Sequence, residues 1–332
     1  MFELILQFSL SALAIVFAGV FLARAADQIG ELTKLGRLLA GSILLAGATS
    51  LPELMIDISA IKKDMPDLAV GDLMGSSLMN LLILAIADLL HRNPHKMFSR
   101  AGAQHALSAS ISINMTILAV IAILLGPHMS GLNVGEVGLG PIAIGIAYIF
   151  GIRLVYYDQR FFEKSEIVAK SAIKKKALIR AVSIYLVCAL IIFVAAPFLA
   201  DAAGEIAEIT GLGKTFIGST LVAFCTSLPE VVSTFTAVRM GAFDLAVGNI
   251  FGSNSFNMIL LIPLDIFHPG NLLGAVSRSH MLSGMAVILG TSVAVMGQLY
   301  HEEKRKKFIE PDALTVIAII LLAFIGMYFI ST

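Results

Sequence analysis

The chain has 332 residues, of which 58% are hydrophobic and 14% charged, against roughly 25% charged in an ordinary soluble domain. Such a surface is too apolar for water, so a soluble globular protein is excluded. Lys and Arg number 23, as do Asp and Glu; without a basic excess, nucleic acid is excluded as a partner. What remains is an all-α integral membrane protein with the lipid bilayer as its surroundings.

A helix crosses the hydrocarbon layer with about 20 mostly apolar residues, and the apolar runs give ten spans. The first, 2–24, has no basic segment ahead of it (Met1-Phe2-Glu3) and reads as a span rather than a secretion signal. The second, 36–61, carries Thr49-Ser50-Leu51-Pro52-Glu53 at its middle. Pro52 has no N–H and its ring crowds the carbonyl one turn back, so the helix should bend or break there, freeing carbonyls near Ala48 and Thr49. Glu53 is a carboxyl at bilayer depth, costly unless paired, protonated or bound to a cation. Asp57 follows one turn later.

The third span, 66–90, carries Gly71, Asp72, Gly75, Ser76 and Asn80. Glycines four apart suit close helix packing, and Ser76 and Asn80 share a helix face. Asp67, at the entry, reads as a helix cap; Asp88, near the exit, reads as an interface anchor. The fourth and fifth spans are 104–126 and 134–155. His105 is the only histidine near a span interior and lies at a span start. An intramembrane serine hydrolase therefore lacks its base, and no enzyme is expected.

Residues 156–176 form a basic linker. It separates a first five-span half, 1–155, from a second, 177–332. The sixth span is 177–200. Cys188 and the later Cys225 read as two buried thiols, with no partner at metal-ligand spacing. The seventh, 211–238, contains Thr226-Ser227-Leu228-Pro229-Glu230. The eighth, 243–267, carries Gly248, Asn249, Gly252, Ser253, Asn254 and Asn257, flanked by Asp244, which reads as a helix cap like Asp67, and Asp265, which reads as an interface anchor like Asp88. The ninth and tenth are 280–299 and 311–330.

The seventh and eighth spans repeat the second and third. Residues 41–80 and 218–257 are identical at 18 of 40 positions with a constant offset of 177, and Asp88 and Asp265 extend the match, giving repeats 41–90 and 218–267. Five spans separate the copies, and five is odd, so the copies cross the membrane in opposite directions. This predicts two inverted five-helix repeats, an arrangement common in secondary transporters. With the N-terminus outside, 19 of the 23 basic residues fall on inner connections, from Arg24 through the linker to Lys304-Arg305-Lys306-Lys307. Lys62, Lys63, Lys214 and Arg278 are the exceptions. The split places both termini outside and the linker in the cytoplasm.

Each TSLPE copy offers freed carbonyls, two hydroxyls and one carboxylate within a turn. Hard cations want such oxygens: Ca²⁺ takes about 6–8 of them. Glu53 and Glu230 together offset a divalent charge, and Ser76, Asn80, Ser253 and Asn257 offer further oxygens. No cofactor and no obligatory protein partner is expected. The copies differ at Asp57 against Thr234, Asp72 against Asn249, and Ser77 against Asn254. Asp57 and Asp72 are therefore candidate extra ligands, and Asp72 is a candidate proton site.

Paired TSLPE and GDLMGSSLMN/GNIFGSNSFN motifs resemble the α-repeats of the calcium/cation antiporter superfamily, in particular its sodium/calcium exchanger branch of prokaryotic type. The resemblance implies a ten-helix inverted-repeat fold and Na⁺-driven Ca²⁺ exchange by alternating access. It assigns binding to Thr49, Ser50, Glu53, Ser76 and Asn80, and to Thr226, Ser227, Glu230, Ser253 and Asn257. Asp72 and Ser77 stand where the family usually has Asn. Asn257 stands where the potassium-dependent branch has Asp. A proton-coupled cation antiporter and a cation channel are the alternatives. The compact length and lack of a large regulatory loop point to a prokaryotic plasma membrane.

Overall fold

The computed structural model describes residues 1–90, 102–128, 132–165, 175–210, 224–299 and 311–331. The first part of the seventh expected span (211–223), the linker core (166–174) and Arg92, Lys96, Arg100, Lys214 and Lys304 to Lys307 lie outside them.

Among the described residues nine helices are long and apolar enough to cross a membrane. They are α1 (Phe2–Thr33), α2 (Arg37–Lys62), α3 (Pro66–Leu90), α4 (Gly102–Leu125), α5 (Leu139–Ser165), α6 (Lys175–Ile209), α8 (Phe243–Phe267), α9 (His280–Leu299) and α10 (Pro311–Ser331). The seventh expected span is represented by α7 (Leu228–Arg239). Three helices outrun their expected bounds. α1 continues nine residues past 24, α5 runs into the linker region as far as Ser165, and α6 extends to Ile209. Polar residues end an apolar run without ending a helix, because backbone hydrogen bonding continues in water or headgroups.

By compactness the described chain divides into two units that cut across the sequence halves. One contains Met1–Ile56 and Ile173–Asn249; the other contains Asp57–Ala172 and Ile250–Thr332.

In the first unit α1 packs along α6 over much of its length and also against α7. At one end of the α1–α6 pair Gln7 Nε2 donates to the Phe198 carbonyl (3.0 Å). The α1–α2 turn has left-handed backbone at Lys34 (φ 58°) and Gly36 (φ 82°). Arg37 locks it: Nε donates to Asp27 Oδ1 (2.6 Å) and Nη2 to Glu31 Oε1 (2.7 Å). α2 opens with a π-helical turn, Ala40–Leu45. There it meets α8 backbone to backbone. A methyl on Gly41 would strike the Leu245 carbonyl, and one on Gly248 would strike the Leu38 carbonyl. Gly248→Leu should therefore cost about 1–3 kcal/mol through overpacking, read as a thermal midpoint several degrees lower in detergent. An unchanged midpoint would refute this contact. At Gly75 the packing expectation is not met, since nothing lies within 4 Å of an added methyl.

In the second unit α9 packs on α4, α10 and α3, and α4 on α5. Asp265 is completely buried, contrary to the interface role expected of it. Its carboxylate accepts from the N–H of Gly138 (2.6 Å) and of Leu272 (2.8 Å), tying the α4–α5 hairpin and the segment after α8 to one point. Asp88 is equally buried. Asp67 and Asp244 stand in the first turns of α3 and α8 rather than at their caps. Asp67 instead accepts from Ser277 N (2.6 Å) and lies 2.9 Å from His280 Nε2.

Candidate functional site

The two TSLPE copies respond differently to their prolines. α2 runs on as α-helix through Pro52, the disturbance being the π-helical turn just ahead of the motif. Near the π-turn, the Tyr185 hydroxyl from α6 donates to the Leu44 carbonyl (2.8 Å). In the second copy the helix is interrupted: Phe224 to Thr226 are helical, Ser227 is a turn, and α7 begins at Leu228 with Pro229 in its first turn. A proline costs least there, where its missing N–H has no intrahelical partner. The expected break is thus present at Pro229 and absent at Pro52.

All six motif residues of the first unit are buried: Thr49, Ser50 and Glu53, and Thr226, Ser227 and Glu230, none more than 4% exposed. Neither glutamate points at lipid. Thr49 spends its hydroxyl proton on its own helix, donating to Leu45 O (3.1 Å) and Ala46 O (3.2 Å). That leaves only lone pairs on Oγ1, which suits a cation ligand. Ser50 Oγ and Ser227 Oγ, at equivalent positions, have no hydrogen-bond partner among the described residues. Leaving a buried hydroxyl unsatisfied costs about 1–3 kcal/mol, a cost that a bound cation would remove.

No three His, Cys, Asp or Glu side chains gather as a metal cluster among the described residues. A cation held here must draw on hydroxyl, amide and carbonyl oxygens beside carboxylates, the donor set of a hard ion.

The second unit brings the second motif halves together. Asn80 Nδ2 donates to Asn254 Oδ1 (3.0 Å), and Asn257 Nδ2 donates to Ser77 Oγ (3.2 Å). Under the 177-residue offset, Asn80 maps to Asn257 and Ser77 to Asn254, so these two bonds are one contact seen twice. Asn254 Nδ2 also donates to the carbonyl of its own equivalent, Ser77 (3.3 Å). Equivalent residues touch only beside a two-fold axis, so the pseudo-axis of the repeat passes between Ser77 and Asn254. Residue numbers rise along α3 as they fall along α8 through these bonds, so the helices run antiparallel there. An inverted repeat requires this. Spending the Asn80 amide N–H on Asn254 leaves Asn80 Oδ1 without a partner among the described residues. Ser76, Ser253 and Asn257 are likewise buried.

Asp57 and Asp72 are side-chain neighbours. Two ionised carboxylates are both acceptors, so a shared proton or a cation would relieve their juxtaposition. Their equivalents make the neutral form of the same contact: Asn249 Nδ2 donates to Thr234 Oγ1 (2.9 Å) and Ser233 Oγ (3.1 Å). Sequence reasoning singled out Asp57 and Asp72 separately but missed their pairing. It also missed the bridging roles of Ser77, Asn254 and Ser233. The signal was available in the coupled differences between copies, Asp57 with Asp72 against Thr234 with Asn249.

A family model described as "Sodium/calcium exchanger protein" matches residues 3–156 and 180–330. The inner membrane protein YrbG of Escherichia coli is 28% identical over 267 residues, 78% of each chain. The sodium/calcium exchanger MaX1 of Methanosarcina acetivorans is 41% identical over 88 residues, 26% of this chain and 25% of that one. The solved structure of the sodium-calcium exchanger NCX_Mj superposes with a TM-score of 0.72, covering 98% of this chain and 99% of that one at 19% identity. At that identity the likeness is one of fold.

Proposed function

Because the chain belongs to the sodium/calcium exchanger family, whose model covers nearly its whole length, we propose that it is a secondary antiporter exchanging Na⁺ for Ca²⁺ by alternating access. The observation that carries this reading is the burial of Glu53 and Glu230, 1% and 0% exposed, at equivalent positions of an inverted repeat.

Two carboxylates out of water are strongly destabilised unless their charge is met. One Ca²⁺ offsets both, and Na⁺ ions do so in its place, so the two ions compete for the same oxygens. Thr49, Ser50, Thr226 and Ser227 supply hydroxyl oxygens beside the carboxylates. By their place in the repeated motifs, Ser76, Asn80, Ser253 and Asn257 are assigned as further oxygen ligands. Reorienting two carboxylates through low dielectric costs more without a bound cation than with one, which makes exchange obligatory. α1 and α6, paired and largely lined with lipid-facing apolar side chains, are the pair that slides. We place both termini outside and residues 156–176 in the cytoplasm of a prokaryotic plasma membrane.

Proteoliposomes loaded with Na⁺ and diluted into Na⁺-free buffer should accumulate Ca²⁺, and a pH gradient alone should not drive uptake. Uptake indifferent to the Na⁺ gradient would defeat the proposal. Uptake driven by the pH gradient, and lost in Asp72→Asn, would assign the coupling to protons. Ion current without a counter-ion would indicate a channel. We assign the Asp57–Asp72 pair a tuning role. Asp72→Asn, which gives the first copy the residue of the second, should raise the Ca²⁺ concentration for half-maximal uptake by up to roughly tenfold, about 1.4 kcal/mol, while exchange persists. An unchanged Ca²⁺ dependence would remove Asp72 from the account.

A further inference from the structure

We infer that the first unit carries a binding site for the headgroup of an anionic phospholipid, in the cleft between α1 and the start of α6. The cleft has a volume of about 680 Å³; Arg24, Lys176 and Arg180 line it with Phe21, Glu31 and Ile184. None of the three cations forms an ion pair among the described residues. The one acid, Glu31, shares the Arg37 guanidinium (2.7 Å) with Asp27, which leaves one negative charge against three cations. The cleft therefore presents a net positive charge. The Arg24 guanidinium sits 5.8 Å from the Phe21 ring centroid, which orients it across an apolar floor.

Depth supports a lipid over a soluble anion. No charged residue lies between Glu3 and Arg24; these roughly 20 residues of helix run about 30 Å, and the hydrocarbon layer is about 30 Å thick. Arg24 thus reaches headgroup level whichever way the chain is threaded. Phe21 and Ile184 lie one turn deeper on α1 and α6, where acyl chains begin. A phosphate between Arg24 and the Lys176–Arg180 pair bridges both helices and favours their moving as one body. Clusters of cations at a helix–headgroup boundary recruit anionic lipid in this way.

The absence of tryptophan gives a direct test. Phe21→Trp introduces a single fluorophore at the cleft and keeps an aromatic ring under Arg24. The full-length variant is reconstituted into phosphatidylcholine vesicles containing equal fractions of either brominated phosphatidylglycerol or brominated phosphatidylcholine. Brominated phosphatidylglycerol should quench at least about twice as strongly, since each cation near the surface enriches anionic lipid roughly fivefold. Adding Arg24→Gln, Lys176→Gln and Arg180→Gln should abolish the preference. Arg24→Gln alone should weaken it if the triple variant does not fold. Lys62→Gln with Lys63→Gln, outside the cleft, should leave it intact. Equal quenching by the two lipids, or a preference that survives loss of the cleft cations, would overturn the inference. Relief of quenching by millimolar inorganic phosphate would show a soluble-anion site and overturn it equally.

Discussion

Glu53→Gln combined with Glu230→Gln should reduce Na⁺-driven Ca²⁺ uptake to less than about one hundredth of the wild-type rate. Gln keeps the volume of Glu and most of its hydrogen-bonding capacity, so packing around two buried positions is preserved. What is lost is two formal charges where an incoming divalent ion must shed its water. A bond to a charged partner contributes about 1.5–3 kcal/mol; two of them amount to roughly a 10²- to 10⁴-fold loss. Each single variant should retain binding far better than the double, because one carboxylate and the hydroxyls remain. The measurement is initial ⁴⁵Ca²⁺ uptake at saturating and limiting Ca²⁺, with thermal unfolding as a check that the variants fold. A double variant still exchanging at more than a tenth of the normal rate would remove the glutamates from the transport path.

Asn254→Leu has the second largest expected effect, and it falls on stability first. Asn254 accepts from Asn80 and donates to the Ser77 carbonyl, at 3.0 and 3.3 Å, with every participant buried. A leucine of similar volume leaves the Asn80 N–H unsatisfied, while the mid-helix Ser77 carbonyl keeps its intrahelical bond. The cost is about 1–3 kcal/mol, seen as a lower thermal midpoint. Because the pair stands on the pseudo-axis, the loss should also impair exchange in protein that remains folded. The double variant Asn80→Leu with Asn254→Leu should be less destabilised than the sum of the singles, since both partners of one bond are then gone. Additive effects would show that the bond has no energetic weight.

The spans, the repeat and the buried glutamates were legible in the sequence because each leaves a local signature. Apolar runs mark spans, and a constant offset of 177 marks duplication. A carboxyl repeated at bilayer depth has few structural explanations. What was not legible depends on which side chains meet. Asp265 lies near a span end, and only the folded chain brings the Gly138 and Leu272 N–H groups to it. Asp67 sits where a cap is common, yet its carboxylate is taken by the Ser277–His280 segment, far along the chain. The same holds for Arg37, whose clamp on Asp27 and Glu31 needs the left-handed turn at Lys34. Pro52 shows the limit of local rules. Proline predicted a bend or break in both copies, but in the first the helix runs on through it and the disturbance falls about two turns earlier, as π-helix, where packing against Tyr185 and Leu245 accommodates it.

An ion-resolved structure of the protein in Ca²⁺ is the most direct measurement. Ca²⁺ should appear with a carboxylate oxygen of Glu53 and one of Glu230 within about 2.3–2.6 Å, and raised Na⁺ should displace it. Density for Ca²⁺ away from both side chains, or both carboxyls held only by protein donors with Ca²⁺ in excess, would contradict the account.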